Sequence, residues 1–267
     1  MGLARLLNVT VSGPSDAPAL VFLHGFGCGQ DMWRHVAPSF ADDFRVVLLD
    51  LPGSGNADAS TYDRERHGDL GGYRDDVIAV LDELELSAVA LVGHSVSAMI
   101  SVLVQIARPD LVERLVLVTP SARYIDDGDY VGGFSPADVD DLLELMSRNH
   151  LGWQGTLAGM VAGPDSPGVK DELETSFCRN RPEVAAQFAA VTFYGDNRAD
   201  LPAVSVPSLV LQDREDVVAP MSAGRYVAQA IPGCRFEVIE TRGHCPQLTA
   251  PVETAAAIRR FLAPLAA

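Results

Sequence analysis

The chain has few basic residues and contains no long apolar segment. Lysine and arginine number 20 against 36 aspartate and glutamate residues, which gives a formal net charge of -16 over 267 residues. A phosphate backbone or an anionic lipid surface repels such a charge, so the composition argues against nucleic acid and membrane partners. No apolar run approaches the roughly 18 residues that a membrane-spanning helix requires. The sequence therefore predicts a globular protein without either kind of partner.

Cysteine is also scarce, and its spacing suggests neither a disulfide framework nor a metal site. The cysteines are Cys28, Cys178, Cys234 and Cys245, and none of them belongs to a CxxC pair. The segment from Met1 to Asn8 carries a single arginine and lacks the apolar stretch of a secretory signal. We therefore expect reduced thiols, a cytoplasmic location and no bound metal.

Short apolar runs rich in β-branched residues recur along the chain and alternate with helical patterns. Runs of this kind are buried on both faces of a mostly parallel sheet. The alternation predicts an α/β fold whose sheet is mostly parallel and doubly wound, with residues 9–11 as an edge strand. The other expected strands are 20–23, 46–49, 89–92, 115–118, 209–211 and 236–239.

The strand pattern stops between residues 121 and 199, where helix signals replace it. Three helix starts consist of a polar residue followed by proline, and a fourth helix is expected between His150 and Gly163. We interpret 121–199 as a helical cap, or lid, of four helices inserted into a core formed by 1–120 and 200–267. The three starts are at Ser135, Ser166 and Arg181.

The segment Gly93–Ser97 follows an expected strand and begins an expected helix, which is the context of a nucleophile elbow. Such a tight turn needs small residues two positions before and two positions after the nucleophile. Gly93 and Ser97 meet this need, although serine departs from the usual glycine. Ser95 would then present its hydroxyl at the N-terminus of a helix, whose dipole favours a developing negative charge.

A serine hydroxyl reacts at neutral pH only when a base removes its proton, and that base needs a carboxylate to orient it. His244 and Asp216 each follow an expected strand and are the candidates for these two roles. Asp213 and Glu215 compete with Asp216, which is preferred because it lies at the turn before Val217. The sequence thus predicts a catalytic triad of serine, histidine and aspartate.

Two backbone N–H groups are needed to hold the oxyanion of a tetrahedral intermediate. One is expected from Val96, which follows the nucleophile, and the other from Phe26 in the glycine-rich loop after the strand 20–23. His24 is expected to shape the turn before Gly25. GxG spacing also occurs in dinucleotide-binding loops, but no GxGxxG fingerprint is completed, so no cofactor is expected.

These motifs resemble the α/β-hydrolase superfamily, and within it the branch that contains the bacterial stress regulator RsbQ and the plant strigolactone and karrikin receptors. The resemblance covers nearly the whole chain. It is carried by His24–Gly27 with Trp33, by GHSVSAM from Gly93, by the GGF that ends at Phe134, and by GHCPQL from Gly243. RsbQ usually has GHSVG at the elbow, so Ser97 is closer to the receptor-like variant.

The resemblance implies an α/β-hydrolase fold with a V-shaped lid of four helices over an apolar pocket. Leu157 stands where the plant receptors commonly have a tyrosine, which argues against a hormone-like ligand. The positions at which family members line the pocket carry Phe26, Tyr124, Phe134, Trp153 and Phe193.

The expected function is that of a serine hydrolase, a carboxylic ester hydrolase that cleaves an ester or lactone of a small hydrophobic molecule without a cofactor. A C–C bond hydrolase or a perhydrolase would use the same triad. The alternative from a different class is an RsbQ-like signalling regulator or ligand receptor, in which slow hydrolysis gates binding of a regulatory protein partner. In the RsbQ case the hydrolase works upstream of a phosphatase by supplying a small hydrophobic molecule.

Overall fold

The computed structural model describes residues 2–148, 153–177 and 179–263. Its centre is a sheet of seven strands in the order β1-β3-β2-β4-β5-β6-β7. Only β1 runs antiparallel to its neighbour, and the other pairs are parallel. The strands are β1 Thr10–Ser12, β2 Ala19–Leu23, β3 Arg45–Leu49, β4 Val89–His94, β5 Val112–Val118, β6 Ser208–Glu215 and β7 Arg235–Arg242.

Ten helices connect and cover these strands within the described residues. Those of the core are α1 Leu3–Leu6, α2 Leu70–Glu83, α3 Val96–Ala107, α8 Met221–Ala230, α9 Pro246–Thr249 and α10 Pro251–Leu262. The other four are α4 Pro136–Arg148, α5 Trp153–Ala162, α6 Pro167–Phe177 and α7 Pro182–Tyr194. No helix in the described part of the chain is long and apolar enough to cross a membrane.

The sheet is covered on both faces, because its central strands have apolar side chains on both sides. Every residue of β2 and β4 is buried. One face packs against α2, α3 and α8 through side chains such as Val77 and Val227. The other packs against α10 and a 3₁₀ turn at Gln30–Trp33. The expected doubly wound α/β fold is confirmed, with a single edge strand before β2.

Four helices lie between β5 and β6, as the proline-led starts indicated. Ser135 and Asp138 cap α4 reciprocally, since Ser135 N–H donates to the Asp138 carboxylate at 2.7 Å and Asp138 N–H donates to Ser135 Oγ at 3.2 Å. Helix α4 packs on α7, and α5 packs on α6. The first residues of the helix expected from His150 lie outside the described residues, as does Cys178. The exact division at 121–199 stays a prediction.

The parallel order brings the carboxyl ends of β2, β4, β5, β6 and β7 to one edge of the sheet. Loops that leave this edge are the usual location of a functional site in open α/β sheets. The segments after β2, β4, β6 and β7 carry the residues predicted for catalysis, and the four inserted helices follow β5.

Candidate active site

The turn between β4 and α3 has the geometry of a nucleophile elbow. Ser95 adopts φ 56° and ψ -120°, a backbone conformation that non-glycine residues rarely adopt. A Cβ atom at Gly93 would lie 2.3 Å from the carbonyl oxygen of Ser97, so the close approach of strand and helix requires glycine there. The Ser95 side chain consequently stands at the N-terminus of α3.

Ser97 has a role that its small size alone did not suggest. Its hydroxyl donates a hydrogen bond to the carbonyl oxygen of His24, at the end of β2. Glycine at this position would leave that buried carbonyl without this donor. Serine in place of glycine therefore ties the elbow to the adjacent loop, and the departure from the usual pattern was the sequence signal for it.

Ser95, His244 and Asp216 form one continuous chain of hydrogen bonds. The Ser95 hydroxyl lies 2.8 Å from His244 Nε2, and His244 Nδ1 lies 2.7 Å from Asp216 Oδ2. All three side chains are buried. The other carboxylate oxygen of Asp216 accepts hydrogen bonds from the N–H groups of Val218 at 2.8 Å and Ala219 at 3.0 Å. These donors stabilise the charged carboxylate and fix its orientation.

The two competing acids are placed elsewhere. Glu215 is exposed and pairs with Arg242 at 2.9 Å. Asp213 is fully buried, and neither of its carboxylate oxygens has a hydrogen-bond partner in the described part of the chain. Burial, reinforced by the nearby charge of Asp216, raises the pKa of Asp213 well above its usual range. Asp213 therefore lies outside the chain of hydrogen bonds, and burial disfavours its charged form.

Three hydrogen bonds fix the backbone of His244. Its N–H donates to the carbonyl oxygen of Val161 in α5 at 2.7 Å. Its own carbonyl accepts from His94 Nε2 at 2.7 Å and from the Thr119 hydroxyl at 3.1 Å. Burial, with a contribution from His244, lowers the pKa of His94 well below its usual range and keeps its ring neutral. His94 is thus a packed group that positions the backbone of His244.

The predicted oxyanion donors follow β2 and β4 directly. No hydrogen bond donated by the backbone N–H of Phe26 or Val96 is found within the described residues. The loop before Phe26 is held by the neutral His24 ring, which donates to the carbonyl of Gly25 at 2.8 Å and accepts from the N–H of Leu51 at 2.9 Å. The expectation that His24 shapes this turn is confirmed.

Tyr124 contacts the candidate nucleophile itself. Its hydroxyl lies 3.0 Å from Ser95 Oγ. Because the serine proton points to His244 Nε2, the tyrosine hydroxyl is the donor in this pair. Burial raises the pKa of Tyr124, with a smaller opposing effect from the bond to Ser95, so the phenol keeps its proton. The sequence placed Tyr124 only in the pocket wall and missed this contact.

A small pocket lies over Ser95 and His244, with a cavity volume of about 30 Å³. Three of the five predicted lining residues, Phe26, Tyr124 and Phe193, line it. Phe134 and Trp153 lie one layer behind the wall instead. Phe134 packs edge-on against Phe193 at 5.8 Å between ring centroids, and Trp153 stacks on Phe177 at 5.6 Å. The remaining lining residues are Cys28, His94, Leu157, Val161, Phe177, Thr192, Val218 and Cys245.

Two of the lining residues are cysteines that the sequence did not associate with the site. Burial, followed by the charge of Asp31, raises the pKa of Cys28 to about 12. Burial also raises the pKa of Cys245 far above its ordinary value. Both side chains are therefore neutral thiols that act as small apolar wall groups. No cluster of three or more histidine, cysteine or acidic side chains suited to a metal ion occurs among the described residues.

Comparison with known proteins places the chain in a family. Residues 20–257 match the model of the alpha/beta hydrolase family, and the chain belongs to that family. It is 41% identical over 246 residues to a karrikin insensitive 2 receptor of Petunia hybrida, with 91% of each chain covered. It is 36% identical over 257 residues to a strigolactone esterase of Arabidopsis thaliana, with 96% of each chain covered.

A solved structure extends this similarity to the whole fold. A hydrolase from Oleispira antarctica superimposes with a TM-score of 0.94 at 34% identity, covering 97% of this chain and 95% of the other. The resemblance that the motifs indicated is confirmed. Family membership, the fold and relatives named as esterases and hydrolases together support ester hydrolase activity.

Proposed function

We propose that the protein is a serine hydrolase that cleaves an ester or lactone of a small hydrophobic molecule through an acyl-enzyme. The observation that carries the proposal is the unbroken chain of hydrogen bonds from Ser95 through His244 to Asp216, with distances of 2.8 and 2.7 Å. This arrangement supplies an activated nucleophile, a general base and a group that orients the base.

The proposed reaction begins when Ser95 Oγ attacks the substrate carbonyl carbon and its proton moves to His244 Nε2. Asp216 stabilises the imidazolium that forms. The carbonyl oxygen becomes an oxyanion, which the N–H groups of Phe26 and Val96 hold. His244 then returns the proton to the leaving alkoxide, and the carbon–oxygen bond of the ester breaks.

A water molecule completes the proposed cycle. It loses a proton to His244 and attacks the acyl carbon, and the proton is returned to Ser95 as the carboxylic acid leaves. In a lactone the alcohol and the acid are two ends of one product. Every proton transfer uses His244, so these steps require neither a metal nor an organic cofactor.

The pocket wall supports the proposed substrate class. Phe26, Leu157 and Phe193 present apolar surfaces, whereas Tyr124 and His244 place their polar groups within hydrogen-bond distance of Ser95. Such a lining favours a hydrophobic group next to the carbonyl. We propose that the segment 121–199 acts as the cap over this pocket. The free, buried thiols of Cys28 and Cys245 support a reducing compartment such as the cytoplasm.

A test of the proposal compares the protein with Ser95→Ala on a short-chain chromogenic ester. Product release is followed through many enzyme equivalents by stopped flow. We expect sustained turnover in the unmodified protein and a rate lower by a factor of about 10³ or more in the variant. Turnover that persists in Ser95→Ala would contradict the assignment of the nucleophile.

A second function is favoured by the 41% identity to a protein named as a receptor. In this alternative, slow hydrolysis changes the cap and gates binding of a regulatory protein partner. The same experiment separates the two. A burst of about one equivalent followed by a stall indicates a trapped acyl-enzyme and favours the signalling function. Continuous turnover favours the hydrolase.

A further inference from the structure

In this structure the pocket over Ser95 is too small to hold an ester. Its volume of about 30 Å³ is room for one or two water molecules. A larger cleft of about 370 Å³ lies between α6 and the segment 28–34. We call it the α6 cleft. Its lining residues are Cys28, Asp31, Met32, Arg34, Asp171, Glu172, Leu173, Thr175, Ser176, Arg179 and Leu248.

Cys28 lines both the pocket and the α6 cleft. Three other clefts on the described surface, with volumes of about 660, 350 and 280 Å³, share no lining residue with the pocket. Cys28 is therefore the residue that borders both the pocket over Ser95 and the α6 cleft.

The loop that carries Cys28 is packed against the end of α6. Gly27 has φ +73°, and a Cβ atom there would lie 2.5 Å from the ring of Phe177. The side-chain amide of Asn180 donates to the carbonyl oxygen of Gly27 at 2.7 Å. Phe177 also lines the pocket, so the inner wall depends on the contact between this loop and α6.

On the outer side, the α6 cleft is bridged by two ion pairs. Arg34 pairs with Glu172, and Arg179 pairs with Asp31 at 3.2 Å. Their side chains are between 36% and 49% exposed, so water screens both pairs. Exposed ion pairs contribute little to stability, so these two pairs do little to oppose separation of α6 from the segment 28–34.

We propose that the α6 cleft is the entrance and the outer half of the substrate site, with Cys28 as the constriction between the halves. This inference rests on the proposed function and names its substrate class as elongated esters whose far end carries no negative charge. The carbonyl lies at Ser95 and the far end of the molecule lies in the α6 cleft. The two arginines of the cleft already pair with Glu172 and Asp31, so an anionic end would have to displace one of these carboxylates.

The test uses 4-nitrophenyl acetate and 4-nitrophenyl octanoate, and its readout is the ratio of their kcat/KM values. Cys28→Ala widens the constriction and should raise the octanoate to acetate ratio about tenfold. Thr175→Trp fills the α6 cleft from an exposed position on α6 and should lower the ratio about tenfold. Cys234→Ala is the matched control, because it makes the same substitution at a cysteine that lines neither the pocket nor the α6 cleft, and it should change the ratio less than twofold.

The experiment distinguishes a wrong assignment of the entrance from a wrong assignment of the function. If hydrolysis depends on Ser95 but neither Cys28→Ala nor Thr175→Trp changes the ratio by more than twofold, the entrance is wrong and the hydrolase stands. If Ser95→Ala hydrolyses both esters normally, the proposed function is wrong. Labelling of Ser95 by fluorophosphonates with ethyl and octyl groups gives a second readout that needs no turnover. Absence of both hydrolysis and labelling would overturn both proposals.

Discussion

The sheet core and the four inserted helices are built in different ways. Helix α3 buries nine of its 12 residues against the sheet, whereas α4 buries two of its 13. Helix α6 likewise buries only Leu173 and Phe177. Apolar contacts thus surround a core helix such as α3, and α4 and α6 are held by narrow apolar stripes. The other two inserted helices lie between these extremes, since α5 buries six of its 10 residues and α7 six of its 13.

This contrast separates the proposed catalytic groups from the wall proposed to select the substrate. Ser95, Asp216 and His244 lie on turns at strand ends, and only His244 is also held by an inserted helix, through Val161 of α5. The apolar wall depends instead on aromatic contacts centred on Phe26, whose ring centroid lies 5.7–6.4 Å from four other rings. The four rings belong to Trp153, Phe177, Phe188 and Phe193. Strand-end turns thus carry the proposed catalytic groups, whereas packing between rings of different inserted helices forms the wall.

The largest expected effect is a loss of activity when the proposed acid of the core, Asp216, is replaced. Asp216→Asn should lower kcat by a factor of about 10⁴, because an amide cannot stabilise the imidazolium and favours the wrong tautomer. Steady-state kinetics on a chromogenic ester measures the loss. Asp213→Asn, a similar change on β6, is the control and should keep activity within a few fold. Equal losses in the two variants would contradict the choice between the acids.

The second effect is a loss of stability when the apolar wall of the pocket is altered at Phe26. Phe26→Ala should destabilise the fold by about 3 kcal/mol, because it removes a ring that contacts three of the inserted helices. Thermal unfolding and limited proteolysis within 136–194 would measure it. Phe44→Ala, which removes a partly buried ring that packs on Phe40 in the core, should lower stability without faster cleavage of the inserted helices. Equal cleavage in both variants would argue against Phe26 as the link.

A smaller effect concerns the contact between the two regions at the nucleophile. Tyr124→Phe removes a hydroxyl that donates to Ser95 at 3.0 Å. Loss of one neutral hydrogen bond of about 0.5–1.5 kcal/mol should lower kcat about three- to tenfold with little change in KM. Tyr130→Phe removes a hydroxyl that donates to the carbonyl of Arg123, away from Ser95, and should leave kcat unchanged. A normal kcat in Tyr124→Phe would show that the contact does not assist catalysis.

The smallest expected effect is a gain in stability inside the core. The pKa of Asp213 is raised in the folded state by burial, so the folded protein keeps a proton that the unfolded chain loses above about pH 4. This group therefore costs increasing stability as pH rises towards its folded-state pKa. Asp213→Asn should raise Tm by about 3 °C at pH 8 and by less at pH 5.

Thermal unfolding at both pH values measures this difference. Glu240→Gln is a suitable control, because Glu240 is exposed and its pKa is lowered by the hydrogen bond with Arg214. That variant should change Tm by less than about 1 °C. A gain in Asp213→Asn that is independent of pH would exclude proton linkage as its cause.

Much of the fold could be predicted because its signals are local. The apolar runs gave six parallel strands within a few residues of their bounds, and proline-led starts placed α4, α6 and α7. The triad candidates could be chosen because each follows a strand, and parallel strands end at one edge of the sheet. The choice of Asp216 over Asp213 depended on one position in a turn, and the hydrogen bonds agree with it.

The rest of the site depends on how helices pack, which no local pattern encodes. Phe134 and Trp153 are bulky and apolar, but packing against Phe193 and Phe177 takes their rings out of the wall. Cys28 and Cys245 are small and gave no functional signal, yet both line the pocket. The bond from Tyr124 to Ser95 joins residues 29 positions apart and needed coordinates to be seen.

The hydrogen bond from the N–H of His244 to the carbonyl oxygen of Val161 joins the proposed base to α5 through backbone atoms, so it does not depend on either side chain. The position of the imidazole therefore depends on where α5 sits as well as on the strand that precedes His244. One peptide N–H thus makes the inserted segment part of the arrangement that aligns the proposed base with Ser95.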